Sequence, residues 1–100
     1  MFGRLRGELG VPPAAKSDPA SRELARVWAI HGEQHVVLRP EAWGEDAAPW
    51  GILLVDLARH IARAHEQLYG HPQAESLSRI RQLFDAEWQA PTDVPRGSIS

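Results

Sequence analysis

The chain has 100 residues, 43% apolar and 24% charged, with 13 acids against 11 bases and no cysteine. That length holds one domain and not two with separate cores. The formal charge of −2 leaves no basic surplus to neutralise phosphates, so no nucleic-acid partner is expected. The missing cysteines remove disulfides, thiolate zinc sites, iron–sulfur ligation and a cysteine nucleophile.

The amino terminus carries Arg4 and Arg6 without an apolar run behind them, so a secretory signal is not expected. The longest apolar stretch, Ala47 to Val55, is interrupted by Pro49 and ended by Asp56. It falls well short of the roughly 20 residues needed to span a bilayer. A cytoplasmic protein with no membrane partner is the expectation. Residues 1–20 hold Gly3, Gly7, Gly10, Pro12, Pro13 and Pro19 and read as an extended arm. Residues 91–100 read as an irregular tail, and residues 21–90 as the single domain between them.

The domain opens with a hairpin. Residues 24–39 are rich in β-branched and aromatic side chains around Gly32-Glu33, a pair that suits a type II′ turn. That turn would set Trp28 opposite Val37 and Ala29 opposite Val36. Alternation then gives one small apolar face, Ala25, Val27, Ala29, Val36 and Leu38, expected beneath a helix. The other face carries Arg26, Trp28, Ile30, His35, Val37 and Arg39.

Residues 49–69 read as a helix, with Pro49 in its first turn and Gly70 placed for a left-handed cap. Trp50, Leu54, Leu57, Ile61, Ala64 and Leu68 form one stripe, and Ile52 and Val55 fall off it. The first half is therefore apolar nearly all round and needs neighbours on most sides. A second helix runs from Pro72 to about Gln89, with Leu77, Ile80, Phe84 and Trp88 as its stripe. The two-residue link Gly70-His71 forces the helices to pack on one another. The fold class is α+β: an antiparallel β-hairpin followed by two packed α-helices, with irregular amino- and carboxy-terminal tails.

With about 70 ordered residues, apolar burial and the ordering entropy both come to about 100 kcal/mol and nearly cancel. A two-stranded hairpin is marginal and has two open edges. Trp28, Ile30 and Val37 would form a partly exposed patch. Pairing or stacking of hairpins from two chains relieves all of this, so a homodimer with Trp28, Ile30 and Val37 at its interface is expected. The alternative is that the arm or tail folds over that face.

Trp50-Gly51-Ile52-Leu53-Leu54-Val55-Asp56-Leu57-Ala58-Arg59-His60, then Glu87-Trp88-Gln89-Ala90-Pro91-Thr92-Asp93, together with Arg26-Val27-Trp28 and Val11-Pro12-Pro13, resemble a family of small bacterial proteins catalogued as a domain of unknown function. The resemblance covers nearly the whole chain. It implies that the domain is complete here and that both tails belong to it, and it carries no activity.

Five histidines raise the question of a metal, but His60 and His65 diverge by about 140° around a helix and the others are scattered, so no metal site and no cofactor are expected. Asp56, Arg59, His60 and Arg63 share one helical edge. As a site, the carboxylate would orient the imidazole and the arginines would bind an anion; as structure, they form a solvated or interfacial edge supported by i, i+3 and i, i+4 pairs. No nucleophile or phosphate loop accompanies them, and no catalytic residue is assigned. Glu75 with Arg79, Arg81 with Asp85 and Arg63 with Glu66 are expected to pair. Trp43, in the acidic loop Glu41–Asp46, either pins that loop or lines a shallow pocket. The leading reading is a non-enzymatic homodimeric interaction module. The alternative is a small enzyme or binder acting on an anionic ligand through Asp56, Arg59, His60 and Arg63.

Overall fold

A computed structural model describes residues 7–92 and 96–99. The order is α1 (Pro13–Ser17), β1 (Ala25–Ile30), β2 (Glu33–Leu38), α2 (Ala48–Tyr69), α3 (Gln73–Gln89) and β3 (Arg96–Ile99). The hairpin followed by two packed helices is the α+β arrangement expected from the sequence. Two short elements lie in segments expected to be irregular. In α1, Pro13 stands near the start, where its missing N–H costs nothing, and Ala14, Ala15 and Lys16 favour the turn that follows. Strand β3 pairs parallel with β2, giving the sheet order β1-β2-β3. One of the two hairpin edges is therefore covered by the chain itself.

The hairpin turn differs from expectation by one position. His31 (φ 49°) and Gly32 (φ 79°) are its central residues, both left-handed as a type I′ turn requires. Histidine tolerates this region better than most residues, so Gly32 takes the second central position and Glu33 joins the strand. The pairing moves by two residues: Trp28 faces His35, Val27 faces Val36 and Ala25 faces Leu38. Because the shift is even, each side chain keeps its predicted face.

The helical boundaries follow the sequence closely. The Asp46 carboxylate accepts the Ala48 N–H at 2.9 Å, Pro49 lies in the first turn, and Gly70 (φ 76°) closes α2 by donating its N–H to the Glu66 carbonyl. Packing between layers departs from expectation. Helix α3 packs on α2, and the strands pair with each other, but no Cα of α2 or α3 comes within 8 Å of a strand Cα. The face expected beneath a helix is uncovered on β1, where Val27 is 62% exposed. Among the described residues only Ala42 and Ala62 are buried. The radius of gyration, 15.7 Å, exceeds the roughly 13 Å of a closely packed chain this long.

A Cβ added at Gly32 would meet no atom within 4 Å, so the cost of Gly32→Ala is conformational alone. We expect it to destabilise the fold by about 1–2 kcal/mol in urea titration, and His31→Asn to be neutral or stabilising because asparagine favours that turn position.

Candidate functional site

Helix α2 presents three different sides. Ala58 is half-buried and Ala62 fully buried, and with Ser76, Leu77 and Ile80 half-buried on α3 they mark the seam between the helices. Small residues let the helices approach, so the seam uses a strip of α2 about a quarter turn from its large apolar stripe. That stripe, expected to be core, is uncovered: Leu54, Leu57, Ile61 and Leu68 are 49%, 50%, 40% and 72% exposed. Near the middle of α2 the small Ala58 and Ala62 let α3 come closer than the leucine stripe would. The carboxy-terminal half of α3 runs past the seam, and Phe84 and Trp88 stack on each other at 5.6 Å while remaining exposed.

Asp56, Arg59, His60 and Arg63 occupy the third side, roughly opposite α3, and all four are exposed. The structure brings them onto one edge, as the spacing requires, but none makes a hydrogen bond or ion pair with a described residue. They line neither the cleft between α2 and α3 nor the hollow beside Ala74 and Ser78 on α3. Of the helical pairs read from the sequence, Arg81–Asp85 forms at 2.9 Å. Arg79 instead donates to Gln82, and Glu66 accepts from Gln73 at 2.8 Å.

On the outward face of the hairpin, Trp28 is half-buried, and Ile30 and Val37 are 42% and 38% exposed. One end of this face is met by the chain's own arm. Arg26 donates to Glu8 at 2.6 Å and to Glu23 at 2.9 Å. The carboxylates of Glu23 and then Glu8 hold the Arg26 guanidinium above its ordinary value, so it stays charged at any pH the fold tolerates. Arg39, also on this side, lies 3.7 Å from Glu41. Arg4 and Arg6 lie outside the described residues.

Trp43 resolves in favour of pinning. Its ring meets Trp50 edge-on at 5.0 Å, and the neighbouring Ala42 carbonyl accepts from Arg22 at 2.8 Å. After α3, Thr92 donates its N–H and hydroxyl to the Glu87 carboxylate, closing the helix stop expected at Pro91. Asp93 lies outside the described residues.

One cluster escaped sequence reasoning. An open cleft of about 420 Å³ between α2 and α3 is lined mainly by Ile61, His65, His71, Glu75, Arg79 and Ile80. Tyr69 contacts both imidazoles, His65 at 5.3 Å and His71 at 5.9 Å. His65 and Tyr69 stand four apart, a spacing that signals their contact; His71 lies beyond the helix end and gives no periodic signal. Among the described residues no three histidine or acidic side chains converge as metal ligands, and no helix is long and apolar enough to cross a membrane.

Residues 8–92 match the model of the family described as Domain of unknown function (DUF5076). The chain belongs to this family. Among solved structures it is similar to a chain from the photosynthetic bacterium Rhodopseudomonas palustrus described as a candidate pyruvate dehydrogenase. The two are 30% identical with a TM-score of 0.73, covering 100% of this chain and 99% of that one. No curated protein matches the sequence.

Because the side chains of Asp56, Arg59, His60 and Arg63 hold none of the described residues, we expect Asp56→Asn, Arg59→Ala, His60→Ala and Arg63→Ala each to change stability by less than about 0.5 kcal/mol in thermal melts. Glu8→Gln should loosen the arm, read as faster amide exchange around residues 8–11, with the hairpin's own exchange unchanged.

Proposed function

We propose that this member of the family is a cytoplasmic, non-enzymatic interaction module that works as a homodimer. The carrying observation is the apolar surface left uncovered. Among the described residues no large side chain is fully buried, while Leu54, Leu57, Phe84 and Trp88 are all about half exposed or more. The chain exposes 8704 Å², against about 5,700 Å² expected for a folded chain of its mass. Granting about 160 Å² to each residue outside the described set still leaves an excess of roughly 1,400 Å². Doubled over two copies, that falls in the range of about 2,000–5,000 Å² that obligate homodimers bury. Monomers rarely carry apolar patches larger than about 600 Å².

Trp28, Ile30 and Val37 contribute to the self-association surface at one sheet face, and the helix stripes supply most of its apolar area. The Asp56, Arg59, His60 and Arg63 edge, unpaired among the described residues, is where a further protein partner with acidic groups would dock. The rival reading, an enzyme or binder acting on an anion such as the pyruvate named for the Rhodopseudomonas chain, asks that same edge to enclose a ligand. The four side chains are exposed and line neither the cleft between α2 and α3 nor the hollow beside Ala74 and Ser78, which favours the module.

Light scattering is expected to return twice the chain mass of 11.1 kDa at micromolar concentration. Leu57→Glu, which sets a charge in the uncovered stripe, should abolish the dimer. A wild-type mass of 11.1 kDa would overturn the reading. His60→Ala decides between module and binder: loss of association with a partner protein supports the first, and an intact dimer that no longer takes up pyruvate supports the second.

A further inference from the structure

We infer that the two copies exchange their layers, the α2–α3 pair of each lying on the Ala25, Val27, Ala29, Val36 and Leu38 face of the other's sheet. This rests on the homodimer reading and departs from it in one respect: the sheet face in contact is the one opposite Trp28, Ile30 and Val37. A sheet with one small apolar face and a helix pair with a large apolar stripe are the two halves of a layered α+β domain. In one chain both halves are present, and although Val36 and Leu38 are half-buried, much of each apolar face stays open. Val27 is 62% exposed on the sheet, Leu54 and Leu57 are 49% and 50% exposed on α2, and no helix Cα lies within 8 Å of a strand Cα.

The connection between the layers explains why they do not close on themselves. It is anchored at both ends: Arg39 donates its N–H to the Leu24 carbonyl, Arg22 holds the Ala42 carbonyl, and Trp43 is seated on Trp50. Gly44, at φ 82°, turns the chain between these anchors. A connection tied to both layers fixes their separation, so a helix pair from elsewhere must supply the cover.

A second copy is the occupant whose chemistry fits. Leu54, Leu57 and Ile61 are bulky where Ala25, Val27 and Ala29 are small, so helix on sheet interlocks large against small. Sheet on sheet would set small against small and leave the helices uncovered. Two-fold symmetry makes the exchange reciprocal, forming the same contact twice and burying both faces in both chains.

The absence of cysteine makes the test direct. Val27→Cys and Leu57→Cys are prepared separately, mixed under conditions that let subunits exchange, and treated with a short bismaleimide; Ala29→Cys with Ile61→Cys repeats the experiment at a second pair. The expected result is covalent dimer in each mixture and none from any variant alone. Self-linking of Val27→Cys or Leu57→Cys would mean that like faces stack, and overturns the exchange. No covalent product from variants that light scattering shows to be dimeric would also overturn it, leaving the homodimer standing. A wild-type mass of 11.1 kDa would remove the homodimer itself.

Discussion

Apolar surface must leave water for a chain of this size to hold a fold, and here the chain alone does not remove enough of it. Burial contributes about 25 cal/mol per Å² of apolar area and stands against an ordering cost of similar total size. The two residues buried among those described are alanines, Ala42 and Ala62, whose side chains add little to the favourable side. Hydrogen bonding does not make up the difference, since each bond replaces one to water and nets about 1 kcal/mol. On the proposed reading the remaining source of stability is association, and the uncovered stripes of α2 and α3 are the missing half of a core.

This constraint orders the rest of the molecule. The sides of α2 differ in kind: alanines line the intrachain seam, Leu54, Leu57, Ile61 and Leu68 form an exposed apolar stripe, and Asp56, Arg59, His60 and Arg63 face solvent. Exposed ion pairs such as Arg81–Asp85 and Arg26–Glu23 are screened by solvent and do not alter the balance. Their use lies elsewhere. Arg26, joined to Glu8 in the arm and Glu23 before the strand, brings the arm to the outward hairpin face and limits how much of that face remains open.

Much of the fold was legible in the sequence because local chemistry specified it. Pro49 and Gly70 marked the ends of α2, the alternation in residues 25–38 marked a hairpin, and the link Gly70-His71 required the helices to pack. The register is not legible because a left-handed histidine is uncommon, and residue preference favours Gly32 at the first central turn position with His31 in a strand. Strand β3 leaves no signal because four residues carry no periodicity and the pairing is made by backbone. The stripe on α2 reads as apolar, and its pattern points to the interior of one chain. Periodicity shows which side of a helix avoids water and does not show whose side chains cover it. The edge Asp56, Arg59, His60 and Arg63 followed from spacing alone, whereas the cleft around His65 and His71 depends on how the link turns after Gly70.

The family match assigns the chain to a group without a stated activity, so function rests on the surface chemistry. If the core is completed by a second copy, folding and association are one equilibrium and stability depends on protein concentration. The most direct measurement is urea unfolding repeated over a hundredfold range of chain concentration. A midpoint that rises steadily with concentration is the result this account predicts; a midpoint that stays fixed across the range would contradict it.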